Sequence, residues 1–159
     1  MNNPKRDMIA AFLMVLVLGL SLTASAQRPS EVVKWSANVA GSSNTASATL
    51  TASIQDGWHV YAISQPSGGP TPLKIAIPAG SSFALDGAIA DTKVVRHFDP
   101  NFNMETVYYL NTARLTLPLK RTGASGNDSV PIDVRFQACS DKICLPPYTT
   151  HLSAAFKRR

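Results

Sequence analysis

Beyond residue 30 the chain alternates apolar and polar positions with a period of two, the mark of strands with one buried face. Val33, Trp35, Ala37 and Val39 share one face, with Lys34, Ser36 and Asn38 on the other. Ala48, Leu50, Ala52 and Ile54 repeat the pattern, opposed by Thr49, Thr51 and Ser53. Asp56-Gly57 is a turn signal, and Trp58 to Ile63 is rich in β-formers. Gln65 to Pro72 is crowded with Pro and Gly and reads as a loop. Leu73, Ile75 and Ile77 resume the alternation until Pro78 and Gly80 stop it, and Phe83–Leu85 and Lys93–Phe98 are shorter strands. Arg114 to Lys120 alternates cleanly, and Gly123–Ser129 makes a turn. Val130, Ile132, Val134, Phe136 and Ala138 form an inward row, and Leu152, Ala154 and Phe156 a final strand. About eight short strands separated by Gly/Pro turns predict an all-β, antiparallel sandwich.

The first residues follow another rule. Lys5 and Arg6 precede a nearly unbroken apolar run from Ile9 to Leu22, and Ala24-Ser25-Ala26 supplies small residues at a cleavage site. The run is shorter than the ~20 residues of a permanent membrane span, so residues 1–26 are expected to be a cleaved secretory signal. Residues 27–159 then form one exported domain that does not span a membrane. A chain of 159 residues that is 45% hydrophobic and 16% charged is not disordered. Its net charge of +5 is scattered over Arg114, Lys120, Arg121, Arg135 and Lys142, with Lys157-Arg158-Arg159 as a tail. Nucleic-acid binders gather their charge on one face, so no nucleic-acid partner is expected.

Other chemistry finds little support. His59, His97 and His151 do not stand at metal-ligand spacing from the cysteines, and neither a metal nor a cofactor is expected. Trp35 and Trp58 read as core fillers, and Tyr108-Tyr109 either as a recognition patch or as a pair with one ring turned inward. Asn127-Asp128-Ser129 matches a glycosylation sequon, a motif short enough to arise by chance. No Ser/His/Asp set, phosphate-cradling glycine motif or paired carboxylates point to hydrolysis or nucleotide chemistry.

What remains is Cys139-Ser140-Asp141-Lys142-Ile143-Cys144, the only cysteines in the chain. In an exported protein they are expected to form a disulfide. Closing so small a loop is worth roughly 2 kcal/mol of chain entropy, against ~4.7 for a loop of a hundred residues, which weighs against a purely structural bond. Continued alternation puts Cys139 on the polar side at the end of its strand, within a partner's reach. Pro146-Pro147 makes the segment after Cys144 an edge or loop. Lys142 and Arg135 favour a thiolate. On the residues alone, a redox pair and a loop staple both stand.

Phe136-Gln137-Ala138-Cys139, followed by Cys144-Leu145-Pro146-Pro147, resembles the aromatic-Gln-x-Cys…Cys-x-Pro-Pro signature of the N-terminal periplasmic domains of the thiol:disulfide interchange protein DsbD. Asp56-Gly57-Trp58-His59-Val60-Tyr61 and Arg114-Leu115-Thr116-Leu117-Pro118 support the likeness in the same order. The resemblance implies an immunoglobulin-like sandwich whose cysteine pair relays reducing equivalents. The donor is a membrane-embedded thiol reductase, and the acceptors are periplasmic thioredoxin-like or disulfide-isomerase proteins. By position, Cys144 matches the cysteine that forms the mixed disulfide and Cys139 the one that resolves it. Tyr61 matches an aromatic beside the pair, and His59 stands where some members have a second Tyr. His97 to Glu105 corresponds to a mobile cap loop, with Phe98 or Phe102 as its shielding ring; Pro146 joins the partner-facing margin. Four residues separate the cysteines, one fewer than in the best-known members. With no reductase segments following the sandwich, a separate polypeptide is expected to supply the electrons. The rival from another class is a non-catalytic immunoglobulin-like binding or assembly module with a structural disulfide.

Overall fold

The computed structural model describes residues 27–42, 45–123 and 129–158; the signal segment 1–26, and Asn127 and Asp128 of the sequon, lie outside the described residues. A single helical turn, α1 (Pro29–Val32), opens the description, with Pro29 at its start and Glu31 Oε2 accepting a hydrogen bond from the Arg28 N–H at 3.0 Å. In chain order the strands are β1 (Val33–Gly41), β2 (Thr45–Ile54), β3 (His59–Tyr61), β4 (Lys74–Ala76), β5 (Phe83–Leu85) and β6 (Ala90–Asp91). They continue as β7 (Val95–Asp99), β8 (Met104–Leu110), β9 (Thr112–Arg121), β10 (Ser129–Phe136), β11 (Ala138–Cys139) and β12 (Tyr148–Arg158).

Among the described residues two sheets form. The larger runs β4-β10-β12-β1-β2-β9-β5, with β6 also paired to β9. The smaller runs β11-β3-β8-β7. Each pairing is antiparallel except that of β1 with β12, which brings the first and last strands side by side without a hairpin between them. The expected all-β, immunoglobulin-like sandwich is therefore present.

The alternation read from the sequence is the burial pattern of the large sheet. Val33, Trp35 and Val39 of β1 are buried, as are Ala48, Leu50, Ala52 and Ile54 of β2 and Leu115, Leu117 and Leu119 of β9. Val130, Ile132, Val134 and Phe136 of β10 face the same core. The small sheet adds Val60, Val107, Tyr109 and Ala138. Trp35 and Trp58 are both core residues, and Tyr109 is the ring that turns inward.

Two of the crossings between the sheets take a single residue. Asn111, with φ +58°, carries it from β8 to β9, a left-handed conformation that Asn tolerates better than most side chains. Gln137 carries it from β10, paired with β12 and β4, to β11, paired with β3. The second crossing delivers Cys139 to the small sheet.

Candidate functional site

The register of the small sheet sorts its side chains onto two faces. Ala138 is opposite Val60, and Val60 opposite Tyr109, and all three join the core. The neighbours one residue along therefore point the other way: Cys139 opposite His59, and Tyr61 opposite Tyr108. His59, Tyr61, Tyr108 and Cys139 thus share the outer face.

That face is roofed. β7 and β8 make a hairpin in which Asp99 pairs with Met104, so the connection is only Pro100 to Asn103, and Asn103 has φ +53°. Asp99 shapes this turn, its Oδ1 accepting from the Asn101 N–H at 2.9 Å and its carbonyl from the Phe102 N–H at 3.2 Å. The Phe102 ring meets Tyr61 edge-on with centroids 5.7 Å apart. Beneath it the Tyr61 hydroxyl donates to Asp99 Oδ2 at 2.5 Å, and the Thr106 hydroxyl to the same oxygen at 3.5 Å. The stretch expected as a cap loop is therefore mostly paired strand: His97 and Phe98 belong to β7. Phe102 is the ring seated on the outer face, whereas Phe98 is 51% exposed and lines a cavity of about 160 Å³ with His59, Asp99, Tyr108, Ser140 and Asp141.

The cysteines close a small hairpin. Leu145 N–H donates to the Ala138 carbonyl at 2.9 Å and Ser140 N–H to the Ile143 carbonyl at 2.8 Å, so Asp141 and Lys142 form the tip. Ser140 Oγ accepts from the Lys142 and Ile143 N–H groups at 3.3 and 3.2 Å, and Gln137 Nε2 donates to the Leu145 carbonyl at 3.2 Å. Cys139 and Cys144 are joined in a disulfide with Cα atoms 4.0 Å apart. The expectation that a partner reaches Cys139 is corrected here: Cys139 has no exposed surface, while Cys144 is half-buried. Alternation set the direction of Cys139 correctly, away from Ala138, but at Cys139 that face is not open to solvent. Around Cys144 the surface is apolar: Ile143 is 52% exposed, Tyr148 is exposed, and Pro146 and Pro147 lie between them at the surface.

Electrostatics follows from the burial. Burial lowers the His59 imidazole below its ordinary 6.5, against the opposing pull of the Asp99 and Asp141 carboxylates. Burial alone would raise Asp99; the bonds from Tyr61 and Asn101, with the nearby His59, outweigh it and hold the carboxyl below its ordinary 3.8. Burial, and then the bond to Asp99, pushes the Tyr61 phenol far up, so it stays a donor at every physiological pH. Burial, then the Asp141 and Asp99 charges, raises Tyr108.

These shifts predict a two-stage loss of stability in acid. His59 binds its proton more readily unfolded than folded, so stability falls as pH drops below 6.5 towards the lower native value. Asp99 has a depressed native value, so its contribution is present above 3.8 and is lost as pH falls through the native one. Urea midpoints between pH 8 and 3 should show both steps, and His59→Gln should flatten the upper one while leaving the lower one, reduced by the loss of the His59 charge. A midpoint flat from pH 7 to 5 in the native chain would contradict the upper step.

The structure brings together Cys139, Cys144, His59, Tyr61, Phe98 and Phe102; Pro146 sits at the margin. Sequence reading missed Asp99, Tyr108 and Asp141, because nothing local links Asp99 to a hydroxyl 38 residues away. The Asp99-Pro100-Asn101 turn signal was its one visible trace. Among the described residues, no group of three or more His, Cys, Asp or Glu is arranged to hold a metal ion. Nor, among them, is any helix long and apolar enough to cross a membrane.

Comparison with known proteins gives a family and a fold. The family model described as "Thiol:disulfide interchange protein DsbD, N-terminal" matches residues 23–155. No curated protein matches the sequence. The structure is similar to the reduced N-terminal domain of DsbD from Neisseria meningitidis, at TM-score 0.56 and 18% identity, over 81% of this chain and 89% of that one. It is also similar to the N-terminal periplasmic domain of ScsB from Proteus mirabilis, at TM-score 0.55 and 17% identity, over 82% of this chain but only 50% of that one.

Proposed function

Because the chain belongs to the family of DsbD N-terminal domains, we propose that it is a periplasmic thiol–disulfide exchange module working through Cys139 and Cys144. The observation that carries this reading is the unequal burial of the pair: Cys144 is half-buried on an apolar margin and Cys139 has no exposed surface. Exchange needs that asymmetry. A partner sulfur must meet one cysteine in line, while the second waits out of reach of adventitious oxidants until the mixed disulfide has formed.

In the reducing direction the Cys144 thiolate attacks a partner disulfide, forming a Cys144–partner bond and expelling the partner's other sulfur as a thiolate. Cys139 then attacks Cys144, restoring the 139–144 bond and releasing the second partner sulfur. Ile143, Pro146 and Tyr148 offer the apolar contact on which a partner docks. Phe102, seated on Tyr61, and Phe98, over the cavity beside Ser140 and Asp141, shield the approach. The donor is a membrane-embedded thiol reductase, and the acceptors are thioredoxin-like or disulfide-isomerase proteins. Residues 1–26 direct export and are removed.

Thiol trapping tests the roles. In a host with a reducing periplasmic pathway, Cys139→Ala should accumulate partner adducts through Cys144, and Cys144→Ala should accumulate none. Titration of the native pair against glutathione and dithiothreitol buffers should give a potential in the range of exchange proteins. A pair that stays oxidised below about −300 mV would instead be a loop staple, and the domain a binding module.

A further inference from the structure

We infer that His59 is the base that takes the proton of Cys139 when this cysteine resolves the mixed disulfide. The inference rests on the exchange reading above and starts from a chemical need. Cys139 has no exposed surface, so its thiol cannot surrender a proton directly to water, and an apolar setting keeps a thiol protonated. Yet only the thiolate attacks a disulfide. A buried resolving cysteine therefore needs an acceptor within the protein.

The backbone supplies one candidate. His59 is the residue directly opposite Cys139 in the β3–β11 pairing, and directly opposed side chains lie on the same face with Cβ atoms roughly 5 Å apart. This adjacency is set by the backbone pairing of β3 with β11 rather than by the sulfurs. His59 is only 8% exposed, and its Nε2 is a buried nitrogen with no hydrogen-bond partner. Buried polar atoms of that kind are rare and ask for an explanation. A nitrogen kept free to meet a proton in another redox state supplies it. Rings on two sides fix the imidazole: Tyr61 edge-on at 5.1 Å and Tyr108 at 4.6 Å between centroids.

The charged and titratable groups around it suit a transient acceptor. Asp99 at the end of β7 and Asp141 at the hairpin tip stabilise an imidazolium, while His97 of β7 lines the same cavity and opposes it when charged. Burial offsets the carboxylates, so His59 rests neutral near pH 7 and its nitrogen is available. The cavity of about 160 Å³ that His59 lines with Asp99, Tyr108 and Asp141 is the route by which the proton then reaches solvent.

The step balances. The Cys139 S–H bond breaks, the proton passes to Nε2, and the sulfur's electron pair forms the bond to Cys144. The Cys144–partner S–S bond breaks, and its electron pair leaves on the partner sulfur, which takes a proton from solvent. The imidazolium returns its own proton to solvent. Over the whole exchange two electrons and two protons leave the dithiol and arrive on the partner disulfide.

The test uses oxidised glutathione as the partner disulfide, rapid acid quenching, and mass spectrometry to separate the mixed disulfide from the closed pair between pH 5 and 9. In the native chain the mixed disulfide should resolve fast at pH 7. In His59→Gln and His59→Phe resolution should slow about 100-fold and then climb about tenfold per pH unit as hydroxide takes over. Adduct formation, measured in a Cys139→Ala background with and without the His59 change, should stay within about 3-fold, since it does not use the Cys139 proton. Resolution with unchanged rate and pH profile in a folded His59 variant overturns the inference and leaves exchange standing. A native chain that forms no adduct at all removes the exchange reading itself. Should neither variant fold, the histidine ring resonances of the native chain decide: His59 should titrate at different pH in the disulfide and dithiol states, and identical midpoints overturn the assignment.

Discussion

Phe136→Ala should lower unfolding free energy by about 3–5 kcal/mol, the range for deleting a fully buried aromatic side chain. Phe136 has no exposed surface. Its ring lies 5.9 Å from that of Trp35 and 6.2 Å from that of Tyr148, the residue opposite it on β12. Truncation removes both contacts and leaves a cavity where the large sheet hands the chain to the small one. Nothing beside it can collapse inward easily, because Gln137 is tied to the Leu145 carbonyl and Trp35 is fixed on a central strand. Urea unfolding checks this, with the midpoint falling at unchanged slope. Phe136→Leu, closer in volume, should cost at most about 1.5 kcal/mol. A loss well under 1 kcal/mol for the alanine variant would mean that this corner is not close-packed.

Tyr61→Phe should cost about 1.5–3 kcal/mol near neutral pH, the worth of a hydrogen bond to a charged group. It deletes one hydroxyl and almost no volume, but Asp99 is 4% exposed and loses the bond that does most to keep it ionised. The native carboxyl has a depressed pKa, so its stabilising share is present above 3.8 and disappears as pH falls through the native value. In the variant that bond is gone, so the depression and the share it supplies are smaller. The gap between the two proteins should therefore be full at pH 7 and narrow steadily below pH 4. Parallel stability curves from pH 7 to 3 would show that the Tyr61–Asp99 bond is not what holds the carboxylate.

The large sheet was legible because one of its faces meets the core and the other meets water. Lys34, Ser36 and Asn38 are exposed between Val33, Trp35 and Val39, so polarity follows direction. In the small sheet Trp58 to Ile63 and Lys93 to Phe98 still read as strands, but β8 did not, for the opposite reason. All three residues of β3 are buried, as are Thr106 and Val107 on β8, since core lies on one side and roof on the other. A strand covered on both faces has no polar row, and the period-two signal vanishes. That is why β8 went unseen as a strand and why Cys139 was expected to be accessible. Parity is a local property and could be read; what covers a face belongs to the tertiary fold. The family signature around the cysteines located the site, whereas the Tyr61–Asp99 contact depends on strands far apart in sequence.

The cysteine hairpin is latched at its base by the Leu145–Ala138 backbone bond, and only its tip, Asp141-Lys142, projects beyond the sheet. It therefore behaves as an interchangeable cassette. Residues can be gained or lost at the tip while Cys139 keeps its place on β11 and Cys144 its bridge to Cys139, with the strands beneath left untouched.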